Sequence, residues 1–238
     1  MESQLETLTT GVEGLDQLLN GGLVSGRLYL VVGDPGTGKT LLGMEFVRAG
    51  LDRDETVLFV HSEESEWDLR ANANEVGLDI DDAAFLDLGP GSEFFTTDRS
   101  YDLVEPRDVS GEQFVDQLRD AIEAVDPDRV VVDPITQLEY IEPTDYQFRE
   151  RLISLMRYLK DAGATVLVTK TTTDPNSTDD DVRSLSDGIV TLELTEQGRR
   201  ISVPKHRGVG QRDGTHGLEI TGDGLEVYTS LGPEAHRR

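Results

Sequence analysis

The sequence predicts an α/β fold in which helices flank a mostly parallel central sheet, with a C-terminal antiparallel β extension. Three observations support this prediction. Short apolar, β-prone segments alternate with helical patterns between residues 28 and 168, which is typical of a parallel sheet covered on both faces. A glycine-rich turn joins the first of these strands to a helix. From Asp187 onward, short strands are separated by glycine turns, which favours a meander at the sheet edge.

Each element is predicted from its own pattern. Runs of aliphatic and β-branched residues predict strands at 28–32, 56–60, 84–88, 129–133 and 164–168. Apolar residues spaced three and four apart predict helices at 41–49, 66–76, 111–125 and 146–162. The strands of the C-terminal meander are expected at 188–194, 200–203, 217–221 and 224–228. Polar composition predicts a long loop at 89–110 and a mobile loop at 172–185.

Length and composition limit the class of protein. The 238 residues suffice for one α/β domain, and no linker or internal repeat divides them, so we expect a single domain over 1–238. No apolar run could cross a membrane, and the first residues are polar and acidic, so a cytoplasmic protein is expected. The absence of cysteine excludes disulfides and thiolate metal sites.

The charge is strongly negative. The formal net charge is −25, from 22 basic and 47 acidic residues spread along the chain. One interpretation is a surface that repels nucleic acid. We favour adaptation to a high-salt cytoplasm, because the Debye length falls to about 3 Å at 1 M salt, and we therefore predict a halophilic source. The lysines are few, namely Lys39, Lys160, Lys170 and Lys205, and Lys160 is expected on a solvated helix face.

Residues 33–40 read G-D-P-G-T-G-K-T, the G-x-x-x-x-G-K-T pattern of a phosphate-binding P-loop. Such a loop turns backbone N–H groups inward, and the following helix N-terminus adds positive potential. Lys39 can reach the β- and γ-phosphates, and the Thr40 hydroxyl can ligate Mg²⁺. An ordinary glycine-rich turn would leave this pair unexplained. The predicted ATP-binding residues are Gly33, Asp34, Pro35, Gly36, Thr37, Gly38, Lys39, Thr40 and Leu41.

Asp133 is the predicted Walker B aspartate. It ends the strand 129–133, and ligands collect outside the carboxyl ends of parallel strands. There it would hold Mg²⁺ directly or through water. The alternative is an aspartate that caps a turn before Pro134. The predicted metal site comprises Thr40, Asp133 and Glu63.

Glu63 and Glu64 follow the strand 56–60. A carboxylate at this position could orient the water that attacks the γ-phosphate, or accept its proton. The alternative is an acidic helix N-terminus that Ser65 caps. Both can hold if one glutamate serves the site and the other the helix.

Several segments resemble the KaiC-like ATPases of the RecA superfamily. Residues 10–23 are similar to the T-G-x-x-G-L-D-x-x-L-x-G-G segment that opens those proteins, and the P-loop follows at the family's distance. The run Glu63-Glu64-Ser65 resembles the family's paired glutamates after the second strand. Residues 205–208 resemble its K-x-R-G motif, and residues 217–225 are also similar. The resemblance covers nearly the entire chain, as one KaiC-type domain.

The resemblance implies a RecA-like P-loop NTPase fold and an ATPase that forms a hexameric ring with ATP between subunits. It assigns Glu63 and Glu64 as catalytic acids, with Glu63 preferred as base. Lys205 and Arg207 resemble the basic pair that reaches the γ-phosphate of a neighbouring subunit. There, a cation supplied in trans would neutralise charge on the transferred phosphoryl group. A cross-strand surface pair is the structural alternative.

The sequence departs from the family in two places. The clock protein of the family has adjacent Ser and Thr phosphorylation sites, where this chain has Arg183 and Ser184, which argues against autokinase activity. Lys170, expected just past the end of the strand 164–168, stands where the family often has a small or acidic residue. No role is assigned to Lys170.

These features leave three candidate functions. The first is a regulatory ATPase that forms a ring and whose nucleotide state is recognised by partner proteins. The second is a RecA-like or RadA-like DNA-handling ATPase, but the candidate DNA loops at 137–147 and 171–186 are acidic, whereas single-strand binding requires a basic and aromatic path. The third is a non-hydrolysing assembly module driven by nucleotide binding, against which the intact acids and the Lys205–Arg207 pair argue.

Overall fold

The computed structural model describes residues 5–89, 111–135, 145–171 and 179–228. The helices are α1 (Glu13–Leu18), α2 (Lys39–Leu51), α3 (Glu66–Glu75), α4 (Gly111–Val125), α5 (Asp145–Asp161) and α6 (Asp179–Leu185). The first strands are β1 (Thr7–Leu8), β2 (Leu23–Val24), β3 (Leu28–Gly33), β4 (Val57–His61) and β5 (Ala84–Asp87). The later strands are β6 (Arg129–Asp133), β7 (Thr165–Thr171), β8 (Gly188–Thr195), β9 (Gly198–His206), β10 (Thr215–Thr221) and β11 (Gly224–Tyr228).

One large sheet organises the described residues, with strand order β11-β10-β9-β8-β3-β7-β6-β4-β5. The strands from β8 to β5 in this order are parallel to their neighbours, and β9, β10 and β11 add antiparallel strands beside β8. All six residues of β3 are buried, which explains their continuous apolar run. The predicted mixed sheet is confirmed, and β1 pairs with β2 in a separate small sheet.

Helices cover both faces of the sheet. Tyr29 and Val31 of β3 belong to the core on the side of α1, α2 and α3. Leu28, Leu30 and Val32 belong to the core on the side of α4, α5 and α6. This alternation follows from the period of two in a strand. Within the described segments, no helix is both long and apolar enough to cross a membrane.

The N-terminal motif at residues 10–23 has a structural role. The Asp16 carboxylate accepts hydrogen bonds from the Thr10 backbone N at 2.8 Å, from the Thr10 hydroxyl at 2.7 Å and from the Thr9 hydroxyl. A Cβ at Gly14 would lie 2.2 Å from the Val227 carbonyl oxygen of β11, so only glycine permits this approach of α1 to the edge of the sheet. The motif therefore anchors the N-terminus rather than contributing to a site.

A buried arginine joins the N-terminal segment to the sheet. The Arg129 side chain is fully buried, and its Nε donates to the Glu55 carboxylate. Its Nη1 donates to the carbonyl oxygens of Thr9 at 2.8 Å and Phe46 at 3.0 Å, and the guanidinium lies 4.6 Å from the centre of the Phe46 ring. These contacts stabilise a charge that burial alone would disfavour.

Replacing Glu55 with alanine is expected to lower the free energy of unfolding by about 3 kcal/mol, because the buried guanidinium then lacks its counter-ion. Urea unfolding at constant salt measures this loss. Asp52→Ala is the matched control, since it removes a carboxylate that pairs with Arg48 at the surface, and such a pair contributes about 1 kcal/mol or less. Equal losses in both variants would contradict the burial argument.

The structure contradicts two predictions, one about a loop and one about the end of a strand. The interval 172–185 is not wholly a loop, because residues 179–185 form α6, where Val182 packs against the core. Lys170 does not lie past its strand, because β7 continues to Thr171, and its side chain is buried. Residues 90–110 of the predicted long loop, and residues 172–178, lie outside the described residues.

Candidate nucleotide-binding site

The P-loop lies between β3 and α2, at the carboxyl edge of the sheet. Gly36 has a φ of 78° and Gly38 a φ of 105°, a left-handed conformation that favours glycine. The Thr37 backbone N and hydroxyl both donate to the Asp34 carbonyl, at 3.3 and 2.8 Å. These bonds close the loop over the start of α2, where free backbone N–H groups and the helix dipole favour an anion.

Lys39 is buried within this loop. Its Nζ donates to the carbonyl oxygens of Gly33 at 2.7 Å and Asp34 at 3.0 Å. Burial lowers the pKa of Lys39, and the nearby carboxylates of Asp133, Asp34 and Glu63 oppose that shift. The ammonium group is therefore held where a phosphate in the loop could take over its hydrogen bonds.

Asp133 lies beside the P-loop, as the Walker B prediction requires. Its side chain is buried, and burial raises the pKa of this carboxyl group, while hydrogen bonds from Thr169 and Thr40 lower it. The Thr169 hydroxyl donates to Oδ1. The contact with Thr40 brings together two of the oxygen ligands predicted for Mg²⁺.

The oxygen donors suit a hard cation. Thr40, Asp133 and Glu63 line one cavity of about 210 Å³. Among the described residues, no group of three or more His, Cys, Asp or Glu side chains forms a metal site by itself. Mg²⁺ fits this arrangement, because it is usually bound through one or two carboxylates, with phosphate and water completing its shell.

Both predicted catalytic glutamates border the same cavity. The Glu64 carboxylate accepts a hydrogen bond from Asn72 Nδ2 at 3.0 Å. Burial raises the pKa of Glu64, and the negative charge of Asp133 raises it further. Glu63 is exposed. The Ser65 hydroxyl also accepts a hydrogen bond from the Asp68 backbone N at 3.2 Å, so Ser65 caps α3 as predicted.

A second cavity, of about 380 Å³, adjoins the first. The two share Gly36, Lys39, Thr40 and Glu64. The second cavity also contacts side chains from α2, α3, β9 and β10, namely Leu41, Met44, Asn72, Arg199 and Ile220. One polar and one more apolar compartment suit the phosphate and nucleoside parts of a nucleotide. A larger cavity, of about 660 Å³, lies between α4 and α5 and contacts none of the P-loop residues.

Lys205 and Arg207 do not join this site within one chain. Lys205 pairs with Ile189 of β8, which pairs with Leu30 near the start of β3, whereas the P-loop leaves the far end of β3. The path from Lys205 to Gly33, where the P-loop begins, therefore crosses two interstrand gaps of about 4.8 Å each. It then follows β3 for three residues at about 3.3 Å each. Ile189 also faces the α5 side of the sheet, opposite to α2.

The basic pair is fixed against the end of α6. Lys205 Nζ donates to the Arg183 carbonyl at 2.5 Å, and Arg207 Nη2 donates to the Ser184 carbonyl at 3.3 Å. Burial lowers the pKa of Lys205, and the positive charge of Arg207 lowers it further. The two cations are thus held together at a surface away from their own P-loop.

Asp187 provides a negative charge next to this basic pair. Its buried carboxylate lies 2.9 Å from Lys160 Nζ and 4.0 Å from Arg207 Nη1, and it accepts from the Leu28 backbone N at 3.3 Å. The expectation of a freely solvated Lys160 is therefore wrong, because that lysine forms an ion pair that links α5 to the start of β8.

Several residues that line the two cavities were not predicted from the sequence, among them His61, Asn72, Arg199 and Ile220. His61 ends β4, so its position at the carboxyl end of a strand was an available signal. Asn72, Arg199 and Ile220 carry no such signal, since they reach the site only through the packing of α3, β9 and β10.

The fold and this site define a P-loop nucleotide-binding protein with a RecA-like sheet. Its family follows from comparison with known proteins. The chain belongs to the KaiC family of ATPases, because the family model described as "ATPase: KaiC" matches residues 8–232.

Individual relatives agree with this assignment. The chain is 31% identical to the UPF0273 protein MK0039 of Methanopyrus kandleri, over 94% of this chain and 92% of the relative. It is 33% identical to the circadian clock oscillator protein KaiC of Parathermosynechococcus lividus, over 92% of this chain but 42% of that longer protein. The crystal structure of the KaiC-like protein PH0186 of Pyrococcus horikoshii OT3 superposes with a TM-score of 0.79 at 23% identity, covering 94% of this chain and 100% of that one. That likeness supports the fold.

Proposed function

We propose that this protein binds and hydrolyses Mg-ATP as a regulatory ATPase, in a ring whose active sites lie between subunits. One observation carries the proposal of hydrolysis: Lys39, Thr40, Asp133 and the two glutamates after β4 all border one cavity. Phosphate binding, metal ligation and activation of water each require one of these residue types. We place the protein in the cytoplasm, with regulatory proteins as its partners.

Each residue has a separate task in the proposed reaction. The P-loop amides and Lys39 bind the phosphates, and Thr40 with Asp133 would hold Mg²⁺. The cation, when bound, neutralises charge on the β- and γ-phosphate oxygens. Glu63 orients the attacking water and accepts its proton.

The position of the basic pair supports the proposed ring. Lys205 and Arg207 lie away from their own P-loop, so they can stabilise a γ-phosphate only on a neighbouring subunit. A head-to-tail contact of this kind repeats around a closed ring. The family resemblance sets the expected number of subunits at six.

The proposal is tested by determining the mass of the protein in solution with and without Mg-ATP, at high KCl. A multiple of the subunit mass that Mg-ATP stabilises, together with turnover of ATP, is expected. A monomer that hydrolyses ATP at an undiminished rate after dilution would contradict sites between subunits. ATP binding without turnover would instead favour the non-hydrolysing assembly module.

Glu63→Gln is expected to lower ATP turnover by about 10²-fold or more, because a general base contributes roughly 10²- to 10⁴-fold to the rate. Glu64→Gln should have the smaller effect, since one Glu64 oxygen is already hydrogen-bonded to Asn72. Steady-state phosphate release measures both. The matched control is Glu66→Gln, which changes an exposed partner of Arg70 on α3. A larger loss in Glu64→Gln than in Glu63→Gln would assign the base to Glu64.

A further inference from the structure

His61, the last residue of β4, has a buried ring nitrogen, Nε2, for which the described residues supply no hydrogen-bond partner. Its side chain is 2% exposed, and Nδ1 lies 2.9 Å from the Glu64 carbonyl oxygen. Because a carbonyl only accepts, Nδ1 bears the hydrogen, and in the neutral imidazole Nε2 is then an acceptor. Within the described part of the chain, Nε2 has no hydrogen-bond partner. A buried acceptor of this kind calls for a donor from outside the described residues.

His61 lies next to Asp133 and the cavity in which such a donor could be bound. The sheet register pairs His61 of β4 with Asp133 of β6, so both side chains project to the same face. His61 also borders the cavity of about 210 Å³ that contains Lys39, Thr40 and Asp133. The imidazole therefore lies beside the carboxylate that is expected to hold Mg²⁺.

We propose that His61 is a positioning residue for the metal, with Nε2 accepting a hydrogen bond from a water molecule in the hydration shell of Mg²⁺. This inference rests on the proposed function. In the neutral imidazole, Nε2 pairs with a donor such as a metal-bound water, whereas phosphate oxygens are themselves acceptors. Bound Mg²⁺ keeps several water molecules. These waters are strong hydrogen-bond donors because the cation polarises them.

The second nitrogen gives His61 its link to catalysis. The Nδ1 hydrogen bond to the Glu64 carbonyl fixes the ring and the turn that carries Glu63 and Glu64. One side chain thus connects the metal's water shell to the two glutamates. Partners of this kind around a metal site orient the groups that hold the metal directly.

The test compares ADP affinity in excess Mg²⁺ with ADP affinity in EDTA, for the wild type, His61→Asn and His61→Gln. Asparagine keeps an amide N–H near the position of Nδ1 but has no group at Nε2, whereas glutamine carries its amide group farther out. In His61→Asn, the tightening of ADP binding by Mg²⁺ should fall about tenfold, a typical loss for such a partner. ADP affinity in EDTA should stay unchanged, and His61→Gln should recover part of the effect.

A second experiment measures the affinity for the metal directly. Mn²⁺ titrated onto each ADP-bound variant and followed by electron paramagnetic resonance should bind about tenfold more weakly to His61→Asn. Wild-type metal affinity in His61→Asn would overturn the inference and leave Nδ1 with a structural role only. Equal losses in His61→Asn and His61→Gln would also overturn it. A wild type that binds no ADP would instead refute the proposed function on which the inference rests.

Discussion

Lys39→Ala is expected to reduce ATP turnover by roughly 10²- to 10³-fold, the loss typical of removing one preorganised group that stabilises the transition state. Lys39 is a buried residue of the P-loop, and its Nζ lies 2.7 Å from the Gly33 carbonyl oxygen. Three carboxylates, Asp133, Asp34 and Glu63, act on it electrostatically. Without the ammonium group, the γ-phosphate would face these negative charges with less compensation, so nucleotide affinity should fall as well.

The fold should survive this change. Alanine favours a helix, and the buried ammonium carries a cost of desolvation that the variant does not. Arg53→Ala is the matched control, because it removes a cation just beyond the far end of α2, where Arg53 hydrogen-bonds to the Ala49 carbonyl. Phosphate release and nucleotide binding should be lost in Lys39→Ala alone. Wild-type turnover in Lys39→Ala would show that ATP is hydrolysed elsewhere.

Arg207→Ala is expected to lower turnover by about 10³-fold, at the lower end of the range for an arginine supplied in trans. The lower end applies because Lys205 remains beside it, held by the Arg183 carbonyl at 2.5 Å. Nucleotide binding by the P-loop of the same chain should change little, since Arg207 lies away from it. Arg212→Ala, which removes an exposed arginine on the next loop, is the control and should retain activity.

Mixing the two inactive variants tests whether Arg207 acts in trans. Ring sites that combine the P-loop of an Arg207→Ala subunit with the basic pair of a Lys39→Ala subunit are complete. In a head-to-tail ring mixed at equal amounts, about a quarter of the sites are of this kind, so about a quarter of wild-type activity should return. No recovery, despite mixed assembly, would contradict the trans arrangement.

The order of the elements could be predicted because the relevant patterns are local. Five runs such as Leu28 to Val32 indicated the strands of a parallel sheet, and the periodic segments between them indicated helices. The P-loop could be recognised because its glycines, Lys39 and Thr40 are contiguous, so their spacing along the chain sets their spacing in space. Asp133 and the glutamates were placed near it by one rule, that parallel strands present their carboxyl ends at one edge.

The sequence left the partners of several polar residues undetermined. Lys160 was expected in solvent, yet it pairs with Asp187 at 2.9 Å, because the packing of α5 against the sheet brings them together. The interval 172–185 was predicted to be a mobile loop, but Val182 packs into the core and residues 179–185 form a helix. The Lys160–Asp187 ion pair and the position of α6 both depend on contacts between segments that are distant in the chain. Local periodicity in the sequence does not encode such contacts.

The sequence by itself determined the class of fold, the P-loop and the chemical kinds of residue around it. Only the tertiary structure decided that Lys205 and Arg207 lie away from their own P-loop. It also decided that His61 lies beside Asp133 with an Nε2 that no described residue contacts by a hydrogen bond. The physical reason is strand register. A local pattern sets the conformation of a segment, whereas long-range pairing between strands sets which end and which face of the sheet each side chain occupies.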